Sequence, residues 1–154
     1  MLQDLYREII LDHYAHPRNR GKLEGADIAV EGVNPSCGDE ISLYARVRDG
    51  RLEEVRFEGR GCSISQASAS MMTEAVKGKS LDAAHELAEE FKAMMHGQVP
   101  DEGRLGDLVA LQGVRRFPVR IKCATLAWVA LQQGLREYAA GRPARVVASS
   151  EDEL

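Results

Sequence analysis

The chain predicts an α+β fold. A small antiparallel three-stranded sheet carries helices packed on one face, in the order α-β-β-β-α-α-α-α. Three observations lead there. An apolar helical stripe opens the chain. Two alternating stretches then flank Asp49-Gly50, a strong two-residue hairpin signal. From Ser63 onward the apolar period becomes helical.

Residues 2–14 read as the first helix, with Leu2, Leu5, Ile9 and His13 on one stripe; Pro17 and Gly21 end it. Residues 28–33 form a short strand. In the second strand Ile41, Leu43, Ala45 and Val47 alternate with Ser42, Tyr44, Arg46 and Arg48. In the third, Val55 and Phe57 alternate with Glu54, Arg56 and Glu58. With Asp49-Gly50 as the turn, Arg48 faces Arg51, Val47 faces Leu52 and Ile41 faces Glu58. The apolar faces then match imperfectly, which predicts a bulge or a one-residue slip near Leu52.

Ile64, Ala67, Met71 and Ala75 make the stripe of the next helix, with Gly78 as its stop. Ser80 caps a helix carrying Leu81, Ala84, Leu87, Ala88, Phe91 and Met95 at the same spacing. Residues 97–103 are a loop around Pro100, and residues 105–111 a short helix. The last helix covers residues 119–140, burying Ala124, Ala127, Trp128, Leu131, Leu135 and Tyr138, and ends before Gly141 and Pro143. Residues 1–148 make one domain, and residues 149–154 an acidic tail predicted to be disordered. No internal repeat or low-complexity segment interrupts this order.

At 154 residues, with 44% hydrophobic and 29% charged residues, the composition is that of an ordinary soluble domain. A net charge of −4 makes no electrostatic case for nucleic acid or an anionic membrane. No apolar run approaches a bilayer span, and Met1-Leu2-Gln3-Asp4 lacks the order of a signal peptide. The expected location is the reducing cytoplasm. Three cysteines there favour metal binding or thiol chemistry over a disulfide framework.

Carried outward, the hairpin register sets Cys37 opposite Cys62, to within about one residue. Asp39 lies two residues from Cys37 and points to the same side of an extended segment. Cys123 is the one cysteine left to supply a third sulfur. Cys62 precedes a helix, and Cys123 falls in the first turn or so of another, where backbone amides favour a thiolate. Three thiolates and a carboxylate suit tetrahedral zinc, or one edge of an iron–sulfur cluster. The hard aspartate would hold cluster iron less firmly than a fourth thiolate, as suits a site that gives its contents away. Asp39 after Gly38 equally suits a turn, and single cysteines are often small core residues. His13 and His16 read as cap or core residues, His85 and His96 as solvent-facing, and Met71-Met72 and Met94-Met95 as core filler.

At these residues the chain resembles the U-type iron–sulfur cluster assembly proteins, the IscU/SufU/NifU N-terminal family. The resemblance runs through Leu5-Tyr6, Asp12-His13-Tyr14, Pro17-Arg18-Asn19 and Asn34-Pro35-Ser36-Cys37-Gly38-Asp39. It continues through Gly61-Cys62-Ser63-Ile64-Ser65, the stretch from Ala67 to Glu74, Arg120-Ile121-Lys122-Cys123 and Leu126-Ala127-Trp128. It implies that Cys37, Asp39, Cys62 and Cys123 form the site for zinc or a transient [2Fe-2S] or [4Fe-4S] cluster and its iron. It implies sulfur from a cysteine desulfurase, and apo iron–sulfur proteins or carrier proteins as recipients. Lys122 stands where the IscU branch has histidine, and the stretch between Cys62 and Cys123 is longer. Both features are similar to the SufU branch, which implies a tight zinc site and a sulfur acceptor that stimulates the desulfurase. The IscU chaperone-docking segment is only partly echoed by Phe117-Pro118-Val119-Arg120.

The expected function is therefore an assembly scaffold that accepts sulfur, with zinc at rest. The alternative is a zinc-dependent sulfurtransferase that carries persulfide sulfur and never holds a cluster. Cys62 or Cys123 is the expected acceptor, with Lys122 giving the Cys123 thiolate electrostatic support. A purely structural zinc fold is disfavoured by the aspartate, because closed structural sites usually use four Cys or His ligands.

Overall fold

A computed structural model describes residues 2–141 and 145–149. Helix α1 (Leu2–Ala15) leads into strands β1 (Ile28–Asn34), β2 (Asp39–Arg48) and β3 (Arg51–Arg60). Helices α2 (Ser63–Val76), α3 (Leu81–Met95) and α4 (Glu102–Leu105) follow. A 3-10 segment (Gly106–Arg116), α5 (Pro118–Ala139) and strand β4 (Arg145–Ser149) complete the order.

The three-stranded antiparallel meander forms as expected. Asp49 and Gly50 both take positive φ, 53° and 73°, as a tight hairpin turn of the primed type requires. Arg48 pairs Arg51 and Val47 pairs Leu52, and then the register shifts so that Arg46 pairs Glu54. That shift is the predicted bulge. Beyond it Leu43 faces Phe57 and Ala45 faces Val55, so the apolar faces agree. A fourth strand, which the periodicity did not reveal, completes the sheet order β3-β2-β1-β4, with β4 parallel to β1. Ser149, expected in a disordered tail, ends this strand; residues 150–154 lie outside the described residues.

Helices α2 and α5 bury against the sheet. Ser80 caps α3 as predicted, accepting the Ala83 N–H, and Phe91 of α3 stacks on Trp128 of α5 at 4.7 Å. Four details differ from expectation. The face of α1 turned inward is Tyr6, Ile9, Ile10 and His13, whereas Leu2 and Leu5 are exposed. Tyr138 is exposed, because the buried stripe of α5 runs out at Leu135. His85 is half-buried, with Nδ1 3.4 Å from Gln132 Nε2. The short helix expected at residues 105–111 is instead the one-turn α4 followed by the longer 3-10 segment. Asp101 sets where α4 begins, accepting the N–H groups of Gly103 and Arg104.

Helix α2 is buried nearly all round, so its hydroxyls must find partners inside the protein. Ser68 donates to the Ala124 carbonyl at 2.6 Å and accepts from Trp128 Nε1 at 3.2 Å, which fixes α2 against α5. Ser70 Oγ accepts the Arg18 N–H and lies 2.8 Å from His13 Nδ1, tying α1 to α2. Much of the recognisable serine- and histidine-containing pattern therefore sets helix positions around the sheet.

Candidate metal and sulfur-transfer site

The turn between β1 and β2 is closed by the Asn34 carbonyl, which accepts from the N–H groups of Cys37 and Gly38. It presents Cys37 exposed at its tip and Asp39 buried at the first position of β2. The bulge in β3 shifts Gly61 toward Asp39. A β-carbon at Gly61 would run into the Asp39 carboxylate, and φ there is +145°. Only glycine lets the chain pass the carboxylate so closely. The next residue, Cys62, caps α2, and its sulfur accepts the Ser65 N–H at 3.5 Å. Its own N–H donates to Asp39 Oδ1 at 2.8 Å, and its sulfur lies 3.9 Å from Asp39 Oδ2.

Cys123 arrives from α5, which begins at Pro118. It therefore stands in the second turn rather than the first, with its thiol 3.7 Å from the Val119 carbonyl. The helix-start position thus belongs to Cys62 and not to Cys123. Burial pushes the Cys123 thiol well above the usual cysteine range, and Asp39 and the other two thiols push the same way. A cation among these donors would reverse that balance.

Ligand atoms of Cys37, Asp39 and Cys123 all lie within 4.8 Å of one another. The three thiols are free and share one cavity of about 450 Å³, rimmed by residues 117–120. Asp39 is 1% exposed; its carboxylate accepts from the Cys62 N–H and the Asn34 side-chain amide, with the Cys62 and Cys123 sulfurs beside it. Three sulfur donors and one oxygen from a buried carboxylate fit a four-coordinate, borderline-soft cation such as zinc.

Lys122 is half-buried and is not among the residues lining the cavity; Arg120 is the cation that does. Sequence reasoning missed Arg120, Gly61 and Asn34. All three lay inside motifs it had quoted, and nothing in their local spacing signalled what they would touch.

Residues 5–144 match the family described as the NifU-like N terminal domain. The chain belongs to this family. The zinc-dependent sulfurtransferase SufU of Bacillus subtilis (strain 168) is 50% identical over 141 residues, covering 91% of this chain and 95% of that one. The iron–sulfur cluster assembly scaffold protein IscU of Thermotoga maritima is 43% identical over 133 residues, covering 86% and 94%. The crystal structure described as a SUF-system iron–sulfur assembly scaffold from Fervidobacterium islandicum AW-1 superposes with a TM-score of 0.80 at 39% identity. It covers 83% of this chain and 94% of that one. The family resemblance read from the cysteine motifs is thus correct. Among the described residues no helix is long and apolar enough to cross a membrane.

Proposed function

We propose that the protein is an iron–sulfur cluster assembly protein that accepts sulfur from a cysteine desulfurase and takes part in cluster assembly as a scaffold. Cys37, Asp39, Cys62 and Cys123 are its metal ligands, with zinc the resting ion. One observation carries this reading: three chain segments bring three free thiols to the wall of one cavity, and the buried Asp39 carboxylate lies within 4.8 Å of the Cys37 and Cys123 sulfurs. Zinc, when bound, keeps thiols deprotonated at neutral pH. The thiols need a reducing compartment to stay free, which supports a cytoplasmic location.

Sulfur transfer needs only these side chains and the donor. A thiolate of this chain attacks the terminal sulfur of the desulfurase persulfide, whose S–S bond breaks. The desulfurase cysteine leaves as a thiolate, and the terminal sulfur remains here as a persulfide. Motif position points to Cys62 or Cys123 as acceptor, but exposure favours Cys37 first, ahead of half-buried Cys62 and buried Cys123. Delivery onward to apo-proteins or carriers would start from the same cavity. An adjoining groove of about 650 Å³, lined in part by Tyr6, Ile10, Ile64, Val114 and Phe117 with Arg7 and Arg116, offers a donor protein a docking face.

The related scaffold and sulfurtransferase support two versions of this activity, which one experiment separates. The zinc-loaded protein is incubated with its cysteine desulfurase and cysteine, alkylated, and mapped by mass spectrometry. Increased turnover and a persulfide on Cys37, Cys62 or Cys123 are expected. A cluster reconstituted anaerobically should then pass to an apo-protein. Persulfide without a transferable cluster would leave the sulfurtransferase alone. Unchanged turnover with no persulfide would overturn sulfur acceptance.

A further inference from the structure

Asn34 ends β1 at 0% exposure. Its backbone closes the β1–β2 turn and pairs with Asp39 in the ladder, and neither role needs a side chain. The side chain nevertheless reaches two members of the site. Its Nδ2 donates to Asp39 Oδ2 at 3.2 Å and to Cys123 Sγ at 3.5 Å. Its Oδ1 is buried with no hydrogen-bond partner among the described residues. A buried acceptor without a partner has lost water and gained nothing in return. Reversing the amide would set Oδ1 against the Asp39 carboxylate, acceptor facing acceptor, so Asp39 dictates the orientation.

An amide kept here at that cost serves the two groups it touches. We propose that Asn34 is a positioning residue of the metal site, its side-chain amide tying Asp39 to Cys123 and orienting carboxylate and thiol toward a shared metal. The Cys62 N–H holds Asp39 Oδ1 and the Asn34 amide holds Oδ2, so the carboxylate is gripped from both sides. The Asn34 bond to Cys123 spans β1 and α5, elements that sequence separates widely. Hydrogen bonds of this kind fix first ligands in direction, and losing one typically weakens metal binding by about 10–100-fold.

The proposal rests on the metal reading above, and its test distinguishes the failure of each. Zinc affinity is measured by chelator competition for wild type, Asn34→Ala, Asp39→Ala and the double variant. Cobalt(II) spectra of the same four are recorded, with melting curves of the metal-free proteins. For Asn34→Ala we expect about a tenfold loss of zinc affinity and a shifted sulfur-to-cobalt charge-transfer band. The metal-free melting temperature should fall only modestly, because the loss of one donor to Asp39 is partly offset by removal of an unpaired buried acceptor. In the Asp39→Ala background the same substitution should cost less, since part of its effect runs through Asp39. Affinity within twofold of wild type with an unmoved cobalt band would overturn the proposal. So would a loss fully additive with Asp39→Ala. Wild-type protein that binds neither zinc nor cobalt would instead overturn the metal reading itself.

Discussion

Gly61 shows how a single residue sets the site. Asp39 occupies the space a side chain there would need, and the backbone sits at a φ of +145° that other residues rarely adopt. Gly61→Ala must therefore push the carboxylate away from the thiols or unseat the start of α2. Either movement separates Asp39 from Cys62. Zinc affinity by chelator competition should fall by about tenfold or more. An unchanged affinity would mean that Asp39 is not a ligand. The cation question also belongs to this scale. Arg120 faces the cavity where Lys122 was expected to act, so a charge-reversing substitution at Arg120 should slow persulfide acceptance more than one at Lys122. Initial rates of desulfurase stimulation would rank the two.

At the scale of elements, the position of α5 on the sheet carries Cys123 to its partners. A β-carbon at Gly134 would come within 2.6 Å of Ile28 Cγ2 and 2.7 Å of Val30 Cγ2, both on β1. Gly134→Ala should overpack this contact and destabilise the protein by about 1–3 kcal/mol in urea unfolding. It should also lift α5, so metal affinity should fall with stability. The joint between α1 and α2 has a pH signature. Burial, then the Arg18 guanidinium, hold His13 below the usual imidazole value. Ser70 Oγ already accepts the Arg18 N–H, so its own hydrogen is free for a neutral His13 Nδ1. The unfolded state therefore binds the proton more readily. This contribution is complete above the unfolded value of about 6.5 and is lost as pH falls from there toward the depressed folded value. Urea midpoints between pH 7.5 and 5.5 should drop for wild type and drop less for His13→Gln.

For the whole molecule, a metal held at the proposed site would work as a clasp. It would join the β1–β2 turn, the start of α2 and the second turn of α5, which otherwise meet through helix and sheet packing. Metal that binds only the folded form adds stability by mass action, about 2.7 kcal/mol at a free concentration one hundred times the dissociation constant. Stripping zinc with a chelator should therefore lower the melting temperature, and returning one equivalent should restore it. Cys123→Ser should abolish most of that difference. A melting curve indifferent to chelator would show that the thiols hold no metal in the native fold.

The sequence by itself determined whatever depends on neighbours along the chain. Asp49-Gly50 specified a tight hairpin, and mismatched apolar faces placed the bulge near Leu52. One turn between two strands was enough to bring Cys37, Asp39 and Cys62 together. Ser80 announced a helix start because capping is a local bond. Only the tertiary structure decided the rest. Cys123 reaches the cavity because Ser68, Trp128 and Gly134 set the height of α5 on α2 and β1. The same docking placed Cys123 a turn deep, turned Arg120 rather than Lys122 to the cavity, and buried Asn34 against Asp39 and Cys123. Strand β4 found β1 across the whole intervening chain. Periodicity shows which face of an element is apolar. It does not show how far that element slides along its neighbour before packing and buried hydrogen bonds stop it, and that distance decides which side chains meet.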